Sequence, residues 1–313
     1  MELKYDLPKY ITMTKMSGKI RVLVEGKDDR GHVLNLLSAI CPSVKFKVDT
    51  ALEIRGDCNK TKNNNRAKIE KIHDHCKTKV SHRRLFFLCD REFRNFDVAA
   101  VVTDQAKQHE FDGNLTWTLG HSIENYFLNV SMLAEGFRYL SNSGYKTDAV
   151  KVFREILGDS LRIIAALTLA ARELGCAKYP PSIAPWQSFE ISTGEVARLV
   201  LKGARGVDSF QDKFWGVYDK FYTVASSTSE EVCARLCRGH TAVIILQRVF
   251  AACLHSAGLT DDEVSSRHDA NVFNNIGEAN ISSALSEAWI KHVEAGCLDY
   301  PLPLVESIYT ASA

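Results

Sequence analysis

Two short apolar strings, each broken off by an acidic residue, constrain the fold of this chain more than any other feature. Ile20–Val24 (IRVLV) is largely β-branched and stops at Glu25-Gly26, and Leu85–Cys89 (LFFLC) is apolar throughout and stops at Asp90-Arg91-Glu92. A strand covered on one face alternates apolar and polar residues; a short run that is apolar nearly throughout suits a strand buried on both faces. Strands of that kind belong to parallel sheets, because their crossover connections lay helices over both faces.

The intervening sequence supplies such crossovers. Residues 32–40 place Val33, Leu34, Leu36, Leu37 and Ile40 on one helical stripe before Cys41-Pro42 stops it, and residues 67–80 read as a basic helix after a polar loop at 56–65. Residues 44–48 alternate apolar residues with lysines, which predicts a half-exposed strand near the sheet edge. Residues 96–108 are expected to be helical, 115–119 (LTWTL) to form a fourth strand, and the segment from Gly120 to Glu124 to turn into another helix. The order β-α-β-α-β-α-β predicts an α/β fold with a mostly parallel sheet flanked by helices.

From about residue 130 strand signals vanish and amphipathic helical stretches follow at 149–157, 162–174, 195–201, 210–225, 242–254 and 281–293. The proline-rich segment 179–186 reads as a linker or rigid loop. Two domains are expected, an α/β domain over 1–130 and an α-helical domain over 131–313.

A net charge of +1 denies the molecule any blanket attraction for nucleic acid, so such binding needs a local patch. The stretch between Arg55 and Arg94 offers one, with Lys68, Lys71 and Lys79 beside the strand ends. Nine cysteines without even spacing, and no apolar leader at the N-terminus, favour reduced thiols and a cytoplasmic location. The longest apolar runs carry charge within a turn or two, which predicts no membrane span.

Ligands of an open parallel sheet bind beyond the carboxyl ends of its strands, and acids stand at three such ends. Glu25 follows the first strand, Asp90 and Glu92 the third, and Glu124 the fourth, with Asp29 able to face back to Glu25 from the first turn of a helix. Carboxylates gathered at one rim repel each other, and a hard divalent cation relieves that repulsion. Oxygen ligands favour Mg²⁺ or Mn²⁺, ions that orient a phosphodiester, activate a water and stabilise the leaving oxygen. Each residue also has a plainer role open to it: Asp28, Asp29 and Ser122 as helix caps, Asp90 and Glu92 as solvated loop acids.

The strings from Val22 to Asp29 (VLVEGKDD), Leu88 to Phe93 (LCDREF) and Gly120 to Tyr126 (GHSIENY) resemble the TOPRIM fold of the overcoming-lysogenisation-defect (OLD) nucleases over roughly residues 18–130. Within that group they are most similar to the AriB-type effectors of the PARIS anti-phage defence systems, a likeness that includes Glu124-Asn125-Tyr126 and Arg238-Gly239-His240. The resemblance implies a toxic, metal-dependent nuclease that cleaves RNA, with tRNA as substrate. It makes Glu25 the essential glutamate, Asp90 and Glu92 the Asp-x-Asp pair, Asp29 a further acid, and Ser122 with Glu124 a ligand pair. The second acid of the pair is here Glu92, one methylene longer than Asp. The resemblance also implies an ABC-type ATPase partner that holds the nuclease inactive, and a homodimer on release. This chain has no Gly-x-x-x-x-Gly-Lys-Ser/Thr loop, so the ATPase would be a separate protein. The run from Val24 to Asp29 also resembles the opening of ribonuclease M5, a shorter family without a helical second half. A non-catalytic TOPRIM-fold regulatory subunit is a third reading, which the retained acids disfavour.

Other signals are weaker. His73, His75 and Cys76 with Cys58 lack the paired Cys-x-x-Cys of a zinc site, and surface histidines are the expectation. Arg238-Gly239-His240 opens a helix where its N–H groups and side chains suit a phosphate, or is a loop with a capping glycine; the resemblance makes Arg238 a nucleic-acid contact and His240 catalytic. Cys233 and Cys237 fall one helical turn apart and are expected in a core. Trp215, Tyr218, Phe221 and Tyr222 recur at helical spacing, as do apolar residues over 281–293; they serve a core, or a docking or dimerisation surface.

Overall fold

The computed structural model describes residues 4–176, 183–192, 194–203, 209–296 and 299–312. The chain divides into two compact units. One comprises residues 1–91, 106–123 and 290–313, the other 92–105 and 124–289.

The first unit is built on a five-stranded sheet. Its strands are β1 (Ile20–Val24), β2 (Phe46–Thr50), β3 (Leu85–Cys89), β4 (Phe111–Asp112) and β5 (Leu115–Trp117), in the order β2-β1-β3-β5-β4. All neighbours run parallel except β4, which pairs antiparallel with β5 at one edge. The sheet is therefore mixed and mostly parallel, and helices flank it. Strand alternation sends Leu23, Leu85, Phe87, Cys89, Leu115 and Trp117 into one core with Ile69 and Ile72 of helix Asn65–Cys76 and Leu7 and Tyr10 of helix Leu7–Lys15. Lys27–Ile40 and the C-terminal helix Leu302–Ser312 also pack on the sheet, the latter with Leu304, Val305 and Ile308 buried. The edge position of β2 agrees with the expectation, but the strand starts two residues later than predicted and does not alternate: Lys47 is exposed while Val48, Asp49 and Thr50 are all buried.

The expected helix over 96–108 is absent. An antiparallel hairpin, Phe96–Val98 with Val102–Asp104, stands there in the second unit, so a helix does not bridge β3 to β5. Its physical reason is pinning at both ends: the Val102 N–H donates to Thr228 Oγ1 at 3.0 Å, and Asp104, its side chain 4% exposed, pairs with Arg235 at 3.3 Å. The turn from Gly120 enters a helix as expected, a short 3-10 one over Ile123–Phe127.

The rest of the second unit is largely helical. One helix, Lys146–Glu173, replaces the two expected over 149–157 and 162–174. Gly158 sits inside it beside the Glu230 carboxylate, which pairs with Arg162 at 3.2 Å. Around it pack helices Val130–Leu140, Ser209–Ser226, Glu230–Leu236 and Gly239–Gly258, followed by Glu263–Asn274 and Glu278–Glu294. Strands do not vanish after residue 130: Phe189–Ser192 and Arg198–Leu201 form a hairpin, the second over the segment expected to be helical. Helix Lys146–Glu173 dictates this, since Glu155 and Asp159 accept the N–H groups of Ala197 and Leu199, both at 3.2 Å. Of the proline-rich segment, residues 179–182 lie outside the described residues; Trp186–Ser188 is a 3-10 turn.

Trp215, Tyr218 and Phe221 are buried in the second unit, as are Cys233 and Cys237. Among the described residues one helix, Gly239–Gly258, is long and apolar enough to cross a membrane; most of it is buried inside the protein, as befits a core helix.

Candidate functional site

The two units each hold part of the predicted set. In the first, β1 and β3 are parallel neighbours, so the residues that follow them emerge side by side. The Asp90 N–H donates to Glu25 Oε1 at 3.1 Å, and the Glu25 carbonyl accepts from Thr50 Oγ1 at 3.3 Å. Glu25 is thereby held from the strands on both sides. Arg66 donates to the Asp90 carbonyl at 3.3 Å, which brings a cation to this rim.

The electrostatics report the same convergence. Cys89, fully buried at the end of β3, has its thiol pushed well above the usual range by burial first, then by the negative charges of Glu25, Asp90 and Glu70, with Arg66 opposing. Glu70, half-buried on helix Asn65–Cys76, escaped the sequence reading because it lies mid-helix with no strand end to mark it.

Asp29 has a structural duty. Its Oδ2 accepts the Gly26 N–H at 2.7 Å, satisfying one of the donors left open at the start of helix Lys27–Ile40. Ser122 is buried. Arg91 turns inward and is 1% exposed; its backbone N–H donates to Thr118 Oγ1 at 3.0 Å and its guanidinium to the Leu119 carbonyl at 2.6 Å. It fastens the segment after β5 to the end of β3.

Glu92 opens a segment of the second unit. It is exposed and adopts φ +50°, a left-handed conformation that side chains other than glycine rarely take. Strain of this sort costs about 1–2 kcal/mol and concentrates at functional loops.

In the second unit Glu124 is buried, and His240 Nε2 lies 3.4 Å from its Oε1. The other ring nitrogen, Nδ1, is 2.5 Å from Glu278 Oε1. Gly239–Gly258 starts where Arg238-Gly239-His240 predicts a helix, with Arg238 at its N-cap and the Arg238 N–H donating to Thr168 Oγ1 at 3.2 Å. Asn125 Nδ2 donates to the carbonyls of Ala234 and Cys237 at 2.6 and 2.8 Å, tying the residue after Glu124 to the turn that delivers Arg238 and His240. Tyr126 stacks on Trp289, centroids 5.5 Å apart. Glu124-Asn125-Tyr126 and Arg238-Gly239-His240, distant in sequence, form one cluster with Glu278.

The basic stretch is less available than its charge suggests. Lys68 is buried, its Nζ donating to the Ala51 carbonyl at 3.1 Å and to Asn65 Oδ1 at 3.0 Å. Lys71 pairs with Asp57 at 2.7 Å, and Lys79 Nζ lies 2.7 Å from His75 Nε2; both lysines are exposed. His73 is not the expected surface histidine, since it is buried edge-on against Phe87 at 5.5 Å.

Among the described residues no group of three or more His, Cys, Asp or Glu side chains is assembled to hold a metal ion. Mg²⁺ seldom uses an all-protein cage; it is held through one or two carboxylates, with waters and substrate phosphates completing its octahedron. Glu25 and Asp90, hard oxygen donors on adjacent strand ends, fit that mode.

No protein-family model matches this chain, and no curated protein similar to it is found.

Proposed function

We propose that this chain is a TOPRIM-type nuclease that cleaves RNA with Mg²⁺ or Mn²⁺. The observation that supports the reading is the bond from the Asp90 N–H to Glu25 Oε1, which brings the Glu25 carboxylate to the backbone of Asp90 at the carboxyl ends of parallel strands. Glu25 and Asp90 would hold the ion, which when bound activates water and neutralises charge on the phosphodiester.

The chain's own residues have distinct tasks. Thr50 and the Asp90 N–H orient Glu25, Arg66 offsets the gathered negative charge, and Arg91 fixes the segment after β3. Within the second unit Glu124 and His240 are the groups for proton handling and Arg238 is a phosphate contact, while the resemblance alone makes Glu92 a ligand. Lys71 and Lys79 extend contact to the RNA backbone through charge. The resemblance of the motifs to OLD-type and AriB-type effectors extends the proposal to anti-phage defence, with tRNA as substrate, a separate ABC-type ATPase as the restraining partner, and a homodimer as the released form.

The test is cleavage of total RNA by purified protein with Mg²⁺, with Mn²⁺ and with excess chelator, alongside Glu25→Ala. Metal-dependent cleavage by the wild type alone is expected. Cleavage that persists in chelator, or in Glu25→Ala, would overturn the assignment.

A further inference from the structure

His240 stands between two carboxylates of unequal setting. Glu124 is buried and approaches Nε2 at 3.4 Å; Glu278, 40% exposed, meets Nδ1 at 2.5 Å. The shorter contact is a charge-assisted hydrogen bond in which the ring N–H donates to the carboxylate. An imidazole held at one nitrogen by a carboxylate has its plane and its proton arrangement fixed, which determines where the other nitrogen points and what it can do.

Helix Glu278–Glu294 is itself anchored to the segment that bears Glu124. Trp289 near its far end stacks on Tyr126 with planes 14° apart and lies 5.4 Å from the Phe127 ring. Glu278 is the first residue of that helix, where the backbone dipole favours a negative side chain. A rigid strut thus carries a carboxylate to the outer face of the imidazole while its other end grips the residues next to Glu124.

We propose that Glu278 is a positioning residue for His240: it holds Nδ1 and so turns Nε2 toward Glu124. This rests on the nuclease reading for its consequence and on geometry alone for its existence. The competing role, an acid that merely starts a helix, predicts a loss of stability and no specific effect on the histidine.

Two measurements separate these outcomes. In Mg²⁺-dependent RNA cleavage, Glu278→Gln is expected to lower kcat by about tenfold to a hundredfold, the usual effect of removing an orienting partner, with KM unchanged and a melting temperature within a few degrees of the wild type. Glu278→Asp should restore part of the loss, and Glu278→Gln added to His240→Asn should cost nothing more. An unchanged kcat, a loss that tracks melting temperature, or full additivity with His240→Asn would overturn the proposal. If the wild type cleaves no RNA, the nuclease reading falls and the proposal is read from the His240 ring instead. Proton NMR should show a downfield imidazole N–H that disappears in His240→Asn and in Glu278→Gln but survives Glu124→Gln. Its survival in Glu278→Gln, or its absence from the wild type, would overturn the proposal independently of activity.

Discussion

Asp90 donates its backbone N–H to the Glu25 carboxylate across 3.1 Å, so the first residue after β3 hangs on the first residue after β1. A hydrogen bond to a charged acceptor contributes roughly 1.5–3 kcal/mol. The charges of Glu25 and Asp90 both act on the buried Cys89 thiol, and carboxylates gathered at one rim repel each other.

Glu25→Ala removes the bond and the repulsion together, so the two changes oppose. The variant is expected to melt within a few degrees of the wild type while its RNA cleavage falls below detection. Glu25→Gln, which keeps an acceptor for the Asp90 N–H, should be equally inactive. Thermal melts beside RNA cleavage check both, and an active Glu25→Gln would show that the negative charge is dispensable.

Glu92 occupies a left-handed backbone conformation that asparagine tolerates better than glutamate. Glu92→Asn is expected to leave stability unchanged or raise it by up to about 1 kcal/mol, while lowering cleavage. Glu92→Asp keeps the carboxylate on a side chain one methylene shorter and should keep activity. Denaturant titration gives the first quantity and initial rates the second; a destabilised Glu92→Asn would mean that the strain is not relieved by this substitution.

Lys68, though part of the basic stretch, belongs to the interior. Reversing its charge would bury a carboxylate against the Ala51 carbonyl, at a cost of about 3–5 kcal/mol for an uncompensated buried charge. Lys68→Glu should therefore unfold the first unit, whereas Lys71→Glu with Lys79→Glu should stay folded, weaken RNA binding and flatten its salt dependence. Burial also pushes the Lys68 ammonium below the ordinary lysine range. The folded chain gives up that proton before the unfolded one does. Between the two values, below about pH 10.4, the unfolded state binds more protons and this group's contribution to stability rises with pH. Lys68→Met should remove that rise, as melting temperature against pH will show.

The parallel sheet was legible because strands covered on both faces must be apolar throughout, and Ile20–Val24 and Leu85–Cys89 have the bounds their sequence predicts. Segments governed by distant partners were not. The hairpin Phe96–Val98 with Val102–Asp104 is fixed by Thr228 and Arg235, and strand Arg198–Leu201 hangs on Glu155 and Asp159; a local pattern contains neither fact. The stretches 149–157 and 162–174 are one helix, Lys146–Glu173, whose joining residues 158–161 show no apolar stripe of their own in a local window. In the candidate site, Glu25 and Asp90 followed from strand ends. Glu70, Glu278 and the inward turn of Arg91 needed the fold, since acids and an arginine on surface-patterned segments carry no mark of what they face.

Association is the last question, and burial narrows the surface that can serve it. Trp215, Tyr218 and Phe221, candidates for a dimer contact on spacing alone, pack inside the second unit, as do Ile281, Leu285 and Trp289. A side chain already buried has no apolar area left to withdraw from water on binding, so these stripes act as core. Phe210, at the start of the same helix, stays 44% exposed, and Tyr139 is 82% exposed. Self-association of the chain is therefore expected to survive conservative changes at Tyr218 and to respond to changes at exposed positions such as Tyr139→Ser. Light scattering coupled to size exclusion on Glu25→Ala protein, alone and coexpressed with a neighbouring ABC-type ATPase, tests the proposal. A dimer alone and a large complex with the ATPase are expected. A monomer in both samples would remove both partners from the proposal and leave the metal site to stand by itself.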